Sequence, residues 1–405
     1  MGSGILLKLQ FFLNGGEGML EFEEDLRCTA KIKVFGVGGG GGNAINTMVK
    51  ASLSGVEFIA ANTDVQALKA SLASQKIQFG EKTTKGLGAG SDPSVGKKSA
   101  LEDTDKILEA CKGADMIFIT AGMGGGTGTG AAPVIARIAK DCNALTVGVV
   151  TKPFLFEGKP RTRIAEEGIE ELRKVVDSLI IVPNQRLLNI AGRTLPFLES
   201  FQLADDVLKQ AVQGISDIIV KPGRINVDFA DVRKVMESMG RCIMGTGVAS
   251  GEGRAGEAAQ KAISSPLLED GSIEGAKGVL INITGGANVT LHEITEAASI
   301  INECVHEEAL IILGAVIDER LEDEMMVTVI ATGFGKEESQ KIIPIKRDEG
   351  KGAIYQFHPE NIEIPTYMRR KNVVIKAVSG KIMDEPVIYD ENDLEVPAFL
   401  RRKVD

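Results

Sequence analysis

Gly122-Met123-Gly124-Gly125-Gly126-Thr127-Gly128-Thr129-Gly130 is the stretch on which the fold turns. It follows an apolar, strand-like run at 116–120 and precedes a helical pattern that starts near Ala131. Glycines at such a junction let backbone N–H groups approach an anion at a helix N-terminus, where the peptide dipoles favour negative charge. A second stretch, Gly36-Val37-Gly38-Gly39-Gly40-Gly41-Gly42-Asn43, joins the run 32–37 to a helical pattern from Ala44. By itself it satisfies GxGxxG and fits a dinucleotide fold. Five consecutive glycines are costly in chain entropy, which argues for more than a tight turn. Two phosphate cradles on adjacent strand ends suit one long phosphate chain.

Around these loops the chain alternates apolar runs (32–37, 56–61, 116–120, 145–150 and 179–182) with amphipathic segments. That alternation predicts a parallel sheet with helices on both faces, an α/β fold of Rossmann-like type. A long helix is expected over 196–220, because Phe201, Ala204, Leu208, Ala211, Val212, Ile215 and Ile218 keep three-and-four spacing. A second, smaller α/β domain is expected beyond it, with strand-like runs at 278–283, 310–316 and 327–331 and a helix over 291–305. From Lys336 the pattern dissolves into short apolar islands among Lys, Glu, Asp and Pro, so a disordered C-terminal tail is expected.

Composition removes whole classes of function. The 405 residues carry 46 basic and 56 acidic side chains, a formal charge of −10, which disfavours a broad nucleic-acid surface. No run approaches the ~20 apolar residues of a membrane span. Five scattered cysteines without CxxC spacing point to reduced thiols in a cytoplasm, against a disulfide frame or a zinc site. Three histidines far apart leave little for histidine-ligated metal chemistry, and no protein-held metal is expected. Gly96-Lys97-Lys98-Ser99 imitates the end of a Walker motif, but Lys98 occupies the Ser/Thr position. Lys97 and Lys98 read as a solvated helix face.

The chain resembles the tubulin/FtsZ superfamily at Gly124–Gly130. Gly36–Asn43, Asn62-Thr63-Asp64, Gly86–Gly90 and Thr151-Lys152-Pro153-Phe154 make the resemblance one to the bacterial FtsZ branch. It runs from about Lys31 to Gly333 and returns at the C-terminus. The resemblance implies a GTP-binding domain at 31–195, a central helix at 196–224, a C-terminal domain with a catalytic loop at 225–335, a flexible linker at 336–391 and an adaptor-binding peptide at 392–405. Residues 1–30 read as an extension, with Met19 as the expected native start.

Function and site residues follow from the same resemblance. It implies a GTPase that polymerises head to tail into protofilaments and forms the cytokinetic ring at mid-cell. Gly39, Gly40, Gly41, Gly42 and Asn43, with Gly126, Thr127 and Gly128, match positions that hold GTP or GDP phosphates, and Asn43 also matches a polar contact of the base; a third loop, Gly86–Pro93, is placed to close over a terminal phosphate. Glu157 and Arg161 match the ribose contacts, though alone they read as a surface ion pair. Phe201 and Asp205 share a helix face and match the base contacts: a ring can stack on guanine while a carboxylate accepts from its ring N–H and amine. Asn184 is a matching polar contact, followed by Gln185 where the family usually has Asp; Ser91-Asp92 likewise replaces Ala-Asn. Asn226, Asp228 and Asp231 match a catalytic loop that reaches the neighbouring subunit's nucleotide, with Mg²⁺ offsetting phosphate charge. Read locally, Asp228 is a helix cap and Asp231 a first-turn charge.

The tail repeats itself. Residues 362–371, around Tyr367, parallel 394–403 at an offset of 32. In the second copy Pro397, Phe399, Leu400, Arg401 and Arg402 resemble the peptide that binds membrane-tethering adaptors such as FtsA, so contact with membrane is expected only through adaptors. Two other functions compete. A dinucleotide oxidoreductase needs an acid ~20 residues after its glycine loop, whereas Asp64 comes late and Gly124–Gly130 goes unexplained. A non-catalytic scaffold of the same fold would lack Asp228 or Asp231, and both are present.

Overall fold

Ten strands form one sheet in the computed structural model, which describes residues 11–13, 16–18, 30–191, 196–221, 227–237, 240–268 and 273–334. A separate antiparallel ladder, β1 (Phe11–Leu13) with β2 (Gly16–Gly18), lies in the N-terminal extension. The sheet comprises β3 (Ile32–Val37), β4 (Val56–Asn62), β5 (Gln75–Gln78), β6 (Met116–Gly122), β7 (Leu145–Lys152), β8 (Ser178–Pro183), β9 (Gly240–Ser250), β10 (Gly278–Gly285), β11 (Leu310–Ile317) and β12 (Glu324–Thr332). Their order is β11-β10-β12-β9-β8-β7-β6-β3-β4-β5. The run from β5 to β9 is parallel throughout, and β12 alone is antiparallel to both its neighbours.

β6 shows why the central strands are so nearly apolar: Thr120 is the one polar side chain in Met116–Gly122, and it is buried. Met116 and Phe118 face a core shared with helix Gly38–Lys50 and the central helix Phe197–Val220. Ile117 and Ile119 face a second core shared with helices Thr104–Cys111, Thr127–Asp141 and Lys159–Arg173. A strand covered on both faces cannot alternate polar with apolar. The central helix turns Ala204, Leu208, Ala211, Val212, Ile215 and Ile218 inward, the face expected from their spacing.

The strand β9 escapes the sequence pattern. Gly-Arg-Cys-Ile-Met-Gly-Thr-Gly carries three glycines, which weaken a strand signal. The structure explains two of them: a methyl group on Gly245 or Gly247 would run into the carbonyls of Ala262 or Ala258 on helix Arg254–Ile263. That helix lies flat on β9, and β9 pairs with β8 through Ser178 and Gly240, which joins the second region to the first in one sheet. Behind it a third core gathers Ala255, Ala258, Ile281, Ile301 and Val327. The linker 336–391, the peptide 392–405 with Pro397, Phe399, Leu400, Arg401 and Arg402, the first repeat copy and Asn226 lie outside the described residues.

Candidate functional site

Two helices begin inside the glycine stretches, at Gly38 and Thr127 rather than at the expected Ala44 and Ala131, and both begin unprotected. Helix Gly38–Lys50 and helix Thr127–Asp141 have no side-chain hydrogen bond at the N-cap and no acidic residue in the first turn. The first backbone N–H groups of a helix have no partner inside it, and a side-chain oxygen ordinarily supplies one. Two neighbouring helices follow that rule. Asp64 caps helix Val65–Ala70, accepting from Gln66 at 2.8 Å, and Asp92 caps helix Pro93–Glu102, accepting from Ser94 at 2.8 Å. Asp64, already too late in the chain for the oxidoreductase pattern, is therefore engaged as a cap. Helix Lys159–Arg173, entered through Gly158, is a third one without cap or first-turn acid.

The glycines divide into those that pack and those that open a space. A methyl at Gly38 would stand 2.8 Å from the Gly128 nitrogen, and one at Gly40 would stand 3.1 Å from Gly122. The two loops thus lie backbone to backbone. Gly41 abuts Gly36 and Thr120, whereas a methyl on Gly39, Gly42 or Gly125 would meet nothing within 4 Å. Thr63 and Thr127 join their hydroxyls at 2.7 Å, tying the end of β4 to the second loop. A cavity of about 130 Å³ opens beside Gly39, Gly42, Asn43, Asn46, Asn62 and Ser71.

Gly96 has a structural role that the Walker-like sequence conceals. A methyl there would collide with Gly126, and one on Gly130 would collide with Pro93. Helix Pro93–Glu102 therefore presses against the start of helix Thr127–Asp141 through paired glycines. Lys97 and Lys98 face outward as expected, Lys97 in a solvent-exposed pair with Glu171 at 3.3 Å.

Next to the second loop stands the pair expected at the ribose. Glu157 meets Arg161 at 3.0 Å and also accepts from the Phe154 N–H at 2.9 Å. A methyl on Gly124 would touch the Arg161 backbone and side chain, so this pair adjoins Gly124-Gly125. Leu155 N–H donates to the Gln185 side-chain oxygen at 3.1 Å. Phe154 is fully buried, stacked on Phe156 with centroids 5.2 Å apart.

The aromatic contact continues to the central helix, where Phe201 lies half-buried against Phe154. One turn on, burial and the neighbouring Asp206 carboxylate push the Asp205 carboxyl up to about 7. Asn184 opens the helix after β8; its side chain is 6% exposed, and its Oδ1 is buried without a hydrogen-bond partner. Such an orphaned acceptor is costly unless a ligand satisfies it. The structure thus gathers Gly39–Asn43, Gly126–Gly128, Glu157, Arg161, Asn184, Phe201 and Asp205 along one end of the sheet.

Asp228 and Asp231 are elsewhere. Their helix, Phe229–Met236, is tied to the opposite end of the strands: Arg233 donates to the Asn143 carbonyl just before β7 at 2.9 Å, and the Ser178 hydroxyl at the start of β8 bonds the Met236 carbonyl. The central helix, 24 residues and so roughly 36 Å long, runs from one end to the other. Asp228 occupies the N-cap position but makes no capping hydrogen bond, so the local reading holds for its backbone and fails for its side chain. Both carboxylates are exposed.

Residues 31–192 match the family profile "Tubulin/FtsZ family, GTPase domain", and 240–335 match "FtsZ family, C-terminal domain". The cell division protein FtsZ of Coxiella burnetii is 50% identical over 388 residues, 95% of this chain and 99% of that one. The chain belongs to the FtsZ family. FtsZ of Pseudomonas aeruginosa is 49% identical over 398 residues, with 96% and 100% coverage. A solved FtsZ dimer from M. jannaschii superposes with a TM-score of 0.74 at 44% identity, covering 76% of this chain and 89% of that one. CetZ1 of Haloferax volcanii shares the fold at 20% identity and a TM-score of 0.66, with 76% and 95% coverage. This FtsZ-family chain is a GTP-dependent cytoskeletal GTPase of cell division, and its first region is the guanine-nucleotide domain. Among the described residues no helix is long and apolar enough to cross a membrane.

Proposed function

We propose that GTP lies along the glycine end of the sheet and is hydrolysed only where a second subunit completes the site. The observation that carries this reading is the separation of the uncapped helix starts from the exposed Asp228 and Asp231 along a helix of 24 residues. One chain can bind with one end and hydrolyse with the other, but not on the same nucleotide. Head-to-tail stacking brings the two ends together, so assembly and turnover are coupled.

Each residue has a definite task in this reading. Gly39 to Gly42 and Asn43 at the start of one helix, and Gly126, Thr127 and Gly128 at the start of the other, receive the phosphates, with the first-turn N–H groups donating. Glu157 and Arg161 hold the ribose end. Phe201 stacks on the base, Asp205 accepts from its N–H groups once ionised, and Asn184 Oδ1 takes a donor. From the neighbour, Asp228 and Asp231 orient and polarise the attacking water, and Asn226 assists. No group of three or more His, Cys, Asp or Glu among the described residues could cage a metal. The donor set therefore suits a Mg²⁺ ion held by phosphate oxygens and water, as this ion prefers. When bound, it offsets phosphate charge.

The filaments so formed act at the mid-cell division ring, and the 392–405 peptide, through Pro397, Phe399, Leu400, Arg401 and Arg402, docks adaptors such as FtsA. The division of the chain at 195, 224, 335 and 391 belongs to the same proposal. Sedimentation with GTP and GTPase rate against protein concentration test its centre. A rate per subunit that rises steeply with concentration, alongside GTP-dependent pelleting, is expected. A constant rate per subunit would mean that one chain holds the whole site.

A further inference from the structure

The turn between β7 and helix Lys159–Arg173 carries Phe154, Phe156 and Glu157, and two backbone bonds close it, from Glu157 N–H to the Phe154 carbonyl at 3.0 Å and from Gly158 N–H to the Leu155 carbonyl at 3.2 Å. Leu155–Glu157 is a single 3-10 turn. Two side-chain oxygens fix its entrance. Glu157 accepts the Phe154 N–H at 2.9 Å, and Gln185 accepts the Leu155 N–H at 3.1 Å. The first is local; the second reaches across 30 residues from the helix that follows β8. Gln185 is also adjacent to Asn184, the residue with the orphaned buried oxygen.

We infer that Gln185 is a positioning residue for nucleotide binding, locking the turn so that Glu157 and Arg161 stay beside Gly124-Gly125 while Phe154 stays against Phe201. The inference rests on the nucleotide site described above and adds a member to it that touches no nucleotide. The chemistry needed is a hydrogen-bond acceptor, since the partner is a backbone N–H. An amide oxygen supplies it, and a carboxylate oxygen at the same reach would as well. The neighbouring helix sets the reach, so loss of the oxygen frees the turn while leaving the sheet intact. Ground-state binding should suffer, whereas chemistry at the far phosphate, on groups from another subunit, should not.

The test uses the full chain with Gln185→Leu, Gln185→Ala and Gln185→Glu, each checked for its melting temperature. GTP binding is measured by calorimetry below the assembly concentration, and GTPase activity is measured at saturating GTP. Losing one neutral hydrogen bond weakens binding by about five- to tenfold. Leu and Ala should raise Kd and KM by that factor, with kcat changed less than twofold. Glu keeps the acceptor and should restore Kd to within about twofold of the parent. The Leu155 amide should exchange with solvent faster in the Leu and Ala variants than in the Glu variant. Unchanged Kd in both Leu and Ala, a Glu variant as weak as Leu, or a fall in kcat with constant KM would each overturn the inference. If the parent chain fails to bind GTP, the nucleotide site itself is misread; if it binds and the variants match it, only the role of Gln185 falls.

Discussion

The ring of Phe201 meets the ring of Phe154 in a T-shaped contact, with centroids 5.3 Å apart and planes crossing at 78°. Phe154 belongs to the turn after β7 and Phe201 to the central helix, so this contact joins the ribose pair to the helix that carries Asp205. Edge-to-face pairs of this kind add about 0.5–1.5 kcal/mol beyond area burial. The Phe201 ring, proposed to stack on the base, is therefore held in place on one side. The same helix ends beside Gly55, just before β4 and at the opposite end of the strands, where a methyl would strike Val220. Nucleotide contact and the approach to Asp228 are therefore connected through one rigid element.

Asp231→Ala should bind GTP normally, because its own glycine end is untouched. Its turnover should fall by about 10²-fold or more, the usual scale for losing a positioned acid–base group. Mixing it with Arg161→Ala, which binds nucleotide weakly, should restore part of the activity at junctions with one good half from each. Rates that merely add, with no recovery on mixing, would argue against a shared site.

If Asp205 reads the base as proposed, binding should depend on pH. Its carboxyl titrates near 7 when buried and unliganded, yet guanine's two donors require the ionised form. Binding at pH 6 should release a proton, and binding at pH 8 should not; below 7 the affinity should drop by up to about tenfold per pH unit. In the free protein the sign is opposite for stability. A carboxyl raised above its usual value favours the folded state at low pH, and that contribution fades as pH rises through about 7. Calorimetry in buffers of different ionisation enthalpy reads the proton directly. Asp205→Asn should abolish the release and weaken GTP by about 1.5–3 kcal/mol, more than xanthine nucleotide.

The two classes of glycine should respond oppositely to the same substitution. Gly130→Ala drives a methyl into the Pro93 carbonyl and to 2.6 Å from Lys97 N, and should cost about 1–3 kcal/mol of stability. Gly39→Ala meets no protein atom within 4 Å and should keep the parental melting temperature. Its methyl stands in the space assigned to phosphate, so GTP affinity should drop. Equal loss of stability in both would mean that Gly39 packs as Gly130 does.

A separate prediction concerns the second region. Arg254, 6% exposed, donates to Glu293 at 2.7 Å, to the Asp323 carbonyl at 2.9 Å and to Asn288 at 3.1 Å. Arg254→Ala should cost the lower end of about 3–5 kcal/mol, since Glu293 keeps 21% exposure and can rehydrate. The guanidinium holds the Glu293 carboxyl down at about 2, so the stability from this pair is complete above the ordinary glutamate range. It disappears as pH falls through about 2. Melting temperatures against pH for the parent and variant should converge at the acid end.

The sequence alone determined the parallel sheet, the central helix and both glycine loops. Those signals are local: β6 is apolar at all positions but Thr120 because both its faces are covered, and the helix face of Leu208, Val212 and Ile215 repeats with the turn of the backbone. Strand β9 stayed hidden because Gly245 and Gly247 answer to a helix that lies against them, not to the strand itself. The tertiary structure decided what spacing could not. It showed that Asp64 is occupied as a cap, that helices starting at Gly38 and Thr127 are left uncapped side by side, and that Gln185 reaches Leu155 across 30 residues. It also set Asp228 and Asp231 at the opposite end of the sheet from every nucleotide-binding candidate. A motif names the groups that can do chemistry, but only the path of the chain sets how far apart they stand.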